Sequence, residues 1–551
     1  MNDHAASWPH AAPVTLAARR ARHRIAVGWL GAGWVILLIL AVATPINHDE
    51  DQYLAAALLT KSGHPFIDFL YLQTPLQPYL TAPLVGLVEG WNLLVLRLAT
   101  ATAGALLMLA LYSTAIFAGA SASAARLGAL AMACCHIFLF SAGVVRNDML
   151  PALFAGVAMV AGVAALRGRG DGYILWALAG LALGAATSTK LSYAIPAAAT
   201  GAFLLCRWWV ERRDPVSWRA FAGFAIGGLA GLLPTMTAFT AAPSGFLYGV
   251  LEYGATAPFE WYALNGAGDR LLPTAKALDS LLVLARGPAL LALLLVVGDM
   301  YRRQAQGRAT PPALRFLEVL TIAGLIAGLM PTPTWRQYFL PMLAPLFARA
   351  ALVPLPKGNM RRIGTTLALI LAVVGSLKHA KYLGHAASSG EWNILTLSRQ
   401  AHWIGREVHA TGAGGPIATL SPHLMIDSGL PLMPEFATGP FAYRTGDRID
   451  RERQLGLVMT SPSGVAQRLD CAAPAAIITG LESHHHIDRI GLDTPLRRYA
   501  QAHGYRLLRY PGSEAELYVR ARKADAKPGA GCGPSQGQGF NCTGCAPTGP
   551  T

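Results

Sequence analysis

The sequence predicts a polytopic α-helical membrane protein of about eleven transmembrane helices, with a small C-terminal α/β domain outside the membrane. Three observations predict it. Hydrophobic residues make up 53% of the 551 and charged residues only 14%, against about a quarter in an ordinary soluble domain. The apolar residues gather into about eleven runs, each near the ~20 residues that cross a bilayer. The basic residues behind the net charge of +15 fall between those runs. That pattern reads as membrane topology and not as a nucleic-acid face.

The runs lie near 26–45, 93–117, 126–145, 149–166, 173–188, 191–206, 220–240, 279–298, 315–330, 338–355 and 363–378. Short links make helical hairpins of 126–166 and 173–206. Pro151 and Pro196 fall in first turns, where proline is tolerated. Arg19, Arg20, Arg22 and Arg24 precede the first run, and Thr44-Pro45-Ile46 follows it. No small-residue cleavage site is present there, so the run reads as a span and not a removable leader.

Orientation follows from Lys and Arg. With the basic N-terminus, 1–25, in the cytoplasm, strict alternation assigns eighteen loop Lys and Arg to that side. The other side receives six: Lys61, Arg146, Lys190, Arg270, Lys276 and Arg336. An odd number of spans then puts the C-terminal region outside. The membrane domain is 26–378, the outer α/β domain 379–522, and the Gly/Pro/Ser-rich tail 523–551 is expected to be disordered.

Two exterior loops are long. The first, 46–92, has apolar stretches at 54–59 and 83–88 that are too short to span and read as interfacial helices. The second, 241–278, carries Phe246, Tyr248, Tyr253, Phe259, Trp261 and Tyr262. It reads either as an aromatic belt at the headgroups or as a lid over a site. Beyond 379 the pattern gives a helix over 392–409, strands at 416–420, 474–479, 505–510 and 515–520, and a helix at 493–502. Cys134, Cys135 and Cys206 read as small hydrophobes; Cys471, Cys532, Cys542 and Cys545 fall outside, where disulfides form. His484-His485-His486 reads as a solvated loop, because consecutive histidines share one metal poorly.

Ionisable residues at membrane boundaries are costly and often functional. The densest group is Asn47-His48-Asp49-Glu50-Asp51-Gln52-Tyr53. Three adjacent acids repel one another. They serve either as a site with one acting as base, or as the negative N-terminus of a following helix. Arg146-Asn147-Asp148 sits at one hairpin tip, Lys190 at another, and Arg336 before a later span. All fall on the same rim. Cations there suit a lipid-linked phosphate; an acid suits an incoming hydroxyl or amine.

In order and sidedness these residues resemble the GT-C superfamily of glycosyltransferases. The resemblance rests on His48-Asp49-Glu50-Asp51-Gln52-Tyr53, Gly63-His64-Pro65, Thr74-Pro75-Leu76-Gln77-Pro78-Tyr79, Arg146-Asn147-Asp148, Thr189-Lys190 and Arg336-Gln337-Tyr338-Phe339-Leu340-Pro341. It covers about 26–380 and is nearest to bacterial enzymes similar to protein O-mannosyltransferases and lipid A aminoarabinose transferase. One departure is Gln73-Thr74-Pro75-Leu76, where many relatives carry a charged residue and paired prolines.

The resemblance implies an inverting transfer from a polyprenyl-phosphate sugar to a glycan, lipid or protein acceptor, outside the cytoplasmic membrane. It implies Asp49 as general base, with Glu50 and Asp148 positioning the acceptor, tuning Asp49 or holding a cation. Lys190 and Arg336 would meet the leaving phosphate, with Arg146 on the same rim. Tyr53, Tyr79 and Tyr338 would line the pocket. No organic cofactor is implied, and a divalent cation is left open, since some relatives use one. Two other readings use the same residues: a transporter or flippase of a lipid-linked sugar, and a non-catalytic membrane assembly protein.

Overall fold

A computed structural model of the chain describes residues 16–211, 215–354, 358–482 and 491–520. The expectations for the first fifteen residues, for His484-His485-His486 and for the tail 523–551 concern segments outside the described residues.

The fold is mostly helical, and every apolar run lies in a helix or a bent helix pair. Among the described residues six helices are long and apolar enough to cross a membrane: Asn92–Ala118, Met149–Leu166, Gly172–Thr189, Pro215–Ala241, Pro312–Leu329 and Asn359–Ser389. Two bent pairs raise the number to as many as eight. Shorter helices occupy the remaining runs: Leu16–Ala43, whose apolar part is Gly28–Ala43, Ala194–Val210 and Leu340–Ala350.

The runs 126–145 and 279–298 depart from straight spans. The first is Ala122–Ala133 and His136–Gly143, bent by 69°; the second is Pro273–Ala285 and Ala289–Ala305, bent by 93°. The two breaks meet. The His136 amide donates to the Arg286 carbonyl at 3.0 Å. Gly287, at φ +131°, lies so close to Cys135 that a Cβ would come within 2.7 Å of its Cα. The bend turns His136 and Phe140 inward toward the rim where the acids lie.

The Gly172–Thr189 and Pro215–Ala241 helices pack through glycine. A Cβ on Gly180 would stand 2.0 Å from the Phe224 carbonyl oxygen, and one on Gly227 would stand 1.9 Å from that of Ala177. Small residues of this kind let transmembrane backbones approach.

The expectation of surface-lying helices in the first exterior loop is corrected for 54–59. Glu50–Leu59 is a helix, but Tyr53, Leu54, Ala55, Ala56 and Ala57 are buried, covered by C-terminal residues. Residues 83–88 do stay exposed at Leu87 and Val88. The 241–278 segment is helical, and of its six aromatics only Phe259 is exposed. The others face protein, as in the contact of Phe246 with Phe66, so neither a headgroup belt nor a loose lid describes them.

The last apolar helix continues past 378 to Ser389, where Gly390 closes it in the left-handed conformation. Asn393–Thr411 follows, and then a four-stranded sheet of order β1-β2-β4-β3. Its strands are β1 (Ile417–Thr419), β2 (Ala476–Thr479), β3 (Arg506–Arg509) and β4 (Glu516–Val519). β1 and β2 are parallel; the other pairs are antiparallel. The apolar core beneath the sheet also contains Ala55, Trp261 and Tyr262, so this region is packed onto the two long loops. Cys135 is buried, whereas Cys206 is exposed on its helix, against the expectation of burial. Cys471 is disulfide-bonded.

Candidate active site

The site begins where the first apolar helix ends. Asn47 and His48 turn the chain, and Asp49 is the N-cap of Glu50–Leu59. Three consecutive acids then point in three directions, each toward a cation of its own. Glu50 is completely buried against Arg97, at 2.6 Å, and accepts the Val145 and Asn47 amides at 2.7 and 2.8 Å. Asp51, also buried, accepts from both the backbone amide and Nδ1 of His423, at 2.9 and 2.7 Å. Asp49 pairs with Arg146 and keeps 32% of its side chain exposed. The mutual repulsion expected of the triad is thus removed by separation.

Arg146-Asn147-Asp148 caps the Met149–Leu166 helix and knits the site. Arg146 donates to Asn47 Oδ1 at 3.1 Å and to Asp148 at 2.8 Å, besides its pair with Asp49. Lys190, the C-cap of Gly172–Thr189, donates to the other Asp148 oxygen. Burial raises the Asp148 carboxyl, but Lys190 and Arg146 outweigh it and hold it below the usual carboxylate range. The result is a chain Asp49–Arg146–Asp148–Lys190 in which charges alternate. Tyr53 donates to Asn147 at 2.8 Å, and Tyr338 lies beneath Lys190, 5.2 Å from ring centre to Nζ.

Arg336 reaches the cluster across Phe140. Its guanidinium carbon is 4.1 Å from the ring centre, and that of Arg146 is 5.7 Å from it. Arg336 Nη1 is 2.9 Å from His136 Nε2, while its Nε is buried without a partner. Burial, with Arg146 nearby, lowers its pKa to about 10, so it stays charged at neutral pH. A cavity of about 70 Å³ opens here, lined by Asn47, His136, Phe140, Arg336, Lys378 and His379 among others, with no carboxylate in its wall.

Of the nine residues singled out from sequence, seven come together: Asp49, Arg146, Asp148, Lys190, Tyr53, Tyr338 and Arg336. Two stand apart from them. Glu50 faces Arg97 with no exposed surface. Tyr79 is 38% exposed on the short Leu76–Thr81 helix and joins none of the cluster's hydrogen bonds or ion pairs. Sequence reasoning missed Arg97, Phe140, His136 and His379, most of them inside apolar runs where no pattern marks them. Gln73, at the departure from the family pattern, accepts from Asn147 at 2.8 Å and belongs to the site's support.

A divalent cation does not fit these acids. Asp49, Glu50, Asp51 and Asp148 are each engaged by Arg, Lys or His. Among the described residues no group of three or more His, Cys, Asp or Glu is gathered to hold a metal.

No protein-family model and no curated protein matches the chain. Solved structures do. ArnT from Cupriavidus metallidurans bound to undecaprenyl phosphate superposes with a TM-score of 0.56 at 15% identity, over 91% of this chain and 99% of that one. The same protein in the apo state gives 0.57 at 15% identity, over 90% and 98%. A looser likeness, TM-score 0.48 at 13% identity, links 90% of the chain to 74% of an Archaeoglobus fulgidus oligosaccharyltransferase. Over nearly its whole length the chain therefore has the fold of ArnT.

Proposed function

We propose that the protein is an inverting glycosyltransferase that moves a sugar from a polyprenyl phosphate to a glycan, lipid or protein acceptor at the outer face of the cytoplasmic membrane. The observation that carries this reading is the selective exposure of one acid. Glu50, Asp51 and Asp148 are 0–2% exposed at their side chains, whereas Asp49 is 32% exposed. Arg146 binds Asp49 Oδ2; Oδ1 faces His48 Nδ1 at 3.9 Å, outside hydrogen-bond reach. Oδ1 is the oxygen available to take a proton.

The acceptor's hydroxyl or amine gives its proton to Asp49 as its heteroatom bonds to the anomeric carbon. The bond from that carbon to the lipid phosphate breaks on the opposite face, which inverts the configuration. The departing phosphate needs fixed positive charge. The carboxylate-free cavity supports Arg336 and Lys378 in that part. Lys190, already neutralised by Asp148, positions Arg146 through that acid. The ArnT whose fold the chain shares binds undecaprenyl phosphate, which supports a lipid-phosphate donor. The outer-face assignment rests on the Lys and Arg bias of the loops.

The test is sugar transfer in detergent, where no compartments exist and a flippase has nothing to do. Asp49→Asn is expected to lower transfer at least about 10²-fold, the scale of losing a general base, with an unchanged thermal midpoint. Transfer retained by that variant rejects the base. Arg336→Ala is expected to raise the KM for donor more than that for acceptor; a defect confined to the acceptor removes the phosphate assignment.

A further inference from the structure

At the end of the helix bundle opposite the Asp49 cluster lies a larger cavity that this chemistry does not use. Its volume is about 310 Å³. It sits where Met149–Leu166 and Ala194–Val210 end and Gly172–Thr189 and Pro215–Ala241 begin, so two helix N-termini border it. Its polar wall is Asp171, Arg207, Ser217 and Arg219.

The charges in that wall are unequally spent. Asp171 caps its own helix, accepting the Tyr173 and Ile174 amides at 2.8 and 3.4 Å. Arg207 pairs with Glu211 at 2.7 Å, and Glu211 also accepts from Ser217. Arg219 makes no ion pair among the described residues. Arg219, exposed and without an ion pair among the described residues, thus faces a space large enough for a polar headgroup. The rim is apolar and aromatic: Val210 is 77% and Val216 72% exposed, and the Trp218 ring lies in tilted contact with Trp208 and Phe221, at 5.2 and 5.4 Å between ring centres. Tryptophan clusters of this kind sit at headgroup depth.

The geometry points to a binding site for an anionic phospholipid. Its phosphate would enter the cavity against Arg219. Its acyl chains would run down the exposed valines. Free phosphate could use the cation but not the apolar rim. A zwitterionic headgroup would bring its ammonium against Arg219. Basic pockets between transmembrane helices at this face are a recurrent lipid-binding chemistry.

The test is native mass spectrometry and thermal unfolding of the full-length protein in detergent, titrated with phosphatidylglycerol, phosphatidylcholine or inorganic phosphate. Phosphatidylglycerol is expected to give a retained one-to-one adduct and a raised midpoint. Arg219→Glu is expected to weaken it about tenfold or more, and Arg219→Lys to keep most of it. Sugar transfer in detergent stays unchanged in both variants, because the cavity is remote from Asp49. Equal binding of phosphatidylcholine, equal protection by inorganic phosphate, or an undiminished adduct in Arg219→Glu each overturns the assignment.

Discussion

Arg97 has no exposed surface, yet it sits inside an apolar helix. Its guanidinium donates to the carbonyls of Ala41, Thr44, Pro45 and Gly143 as well as to Glu50. It therefore ties the end of the first helix, the end of His136–Gly143 and the start of the Glu50 helix to one another. Removing only the carboxylate leaves a buried, uncompensated charge, which costs about 3–5 kcal/mol. Glu50→Gln is expected to lower the thermal midpoint steeply, and Glu50→Gln with Arg97→Met to recover part of the loss. A Glu50→Gln protein that unfolds like the parent but has lost transfer would instead restore Glu50 to the chemistry. Residue type and spacing alone do not separate Glu50 from Asp49; only the family resemblance gives the base role to Asp49. What separates them is a partner hidden in an apolar run, where a lone arginine carries no pattern to announce it.

Helix contacts differ from residue roles in how far they can be read. The glycines that let Gly172–Thr189 meet Pro215–Ala241 recur at four-residue spacing, Gly180 with Gly184, and Gly223 with Gly227 and Gly231. Spacing marks one face of each helix; it does not say which helix comes against it. Gly227→Ala would drive a methyl group onto the Ala177 carbonyl, and the helices must separate. The expected loss is about 1–3 kcal/mol, the scale of overpacking. Gly254→Ala, where a Cβ meets nothing within 4 Å, is expected to leave the midpoint unchanged or slightly raised. Equal midpoints for the two variants contradict the close contact. The bends were less legible for a different reason. Apolarity continues through Cys134-Cys135 unchanged. Arg286-Gly287-Pro288 does carry a Gly-Pro breaker signal, within a run whose hydropathy alone reads as a single span.

At the scale of the whole molecule, the C-terminal region is fastened directly to the loops of the candidate site. Asp51 holds His423, His48 meets Glu482 at 3.0 Å, and Asp427 accepts the Asn92 amide at 2.6 Å. The positions of the four strands were readable from the sequence. Their docking was not, because its contacts join residues more than 300 apart with no local trace. The Asp51–His423 contact makes that docking pH-dependent. Burial opposes the imidazolium, but the Asp51 carboxylate, with Glu482 and Glu50 farther off, outweighs it and raises the pKa of His423 above its usual 6.5. A histidine raised on folding contributes stability that is complete below its unfolded value and is lost as pH rises through its folded value. The thermal midpoint is therefore expected to fall as pH rises above the ordinary histidine value of 6.5. His423→Gln, which keeps the backbone bond to Asp51 but no titrating ring, is expected to lie below the parent in mildly acidic solution and to converge on it as pH rises. Parallel profiles for the two proteins would mean that the pair does not couple the C-terminal region to the Asp49 loop. Convergence, accompanied by a matching fall in sugar transfer, would mean that seating of the C-terminal region sets the geometry in which Asp49 works.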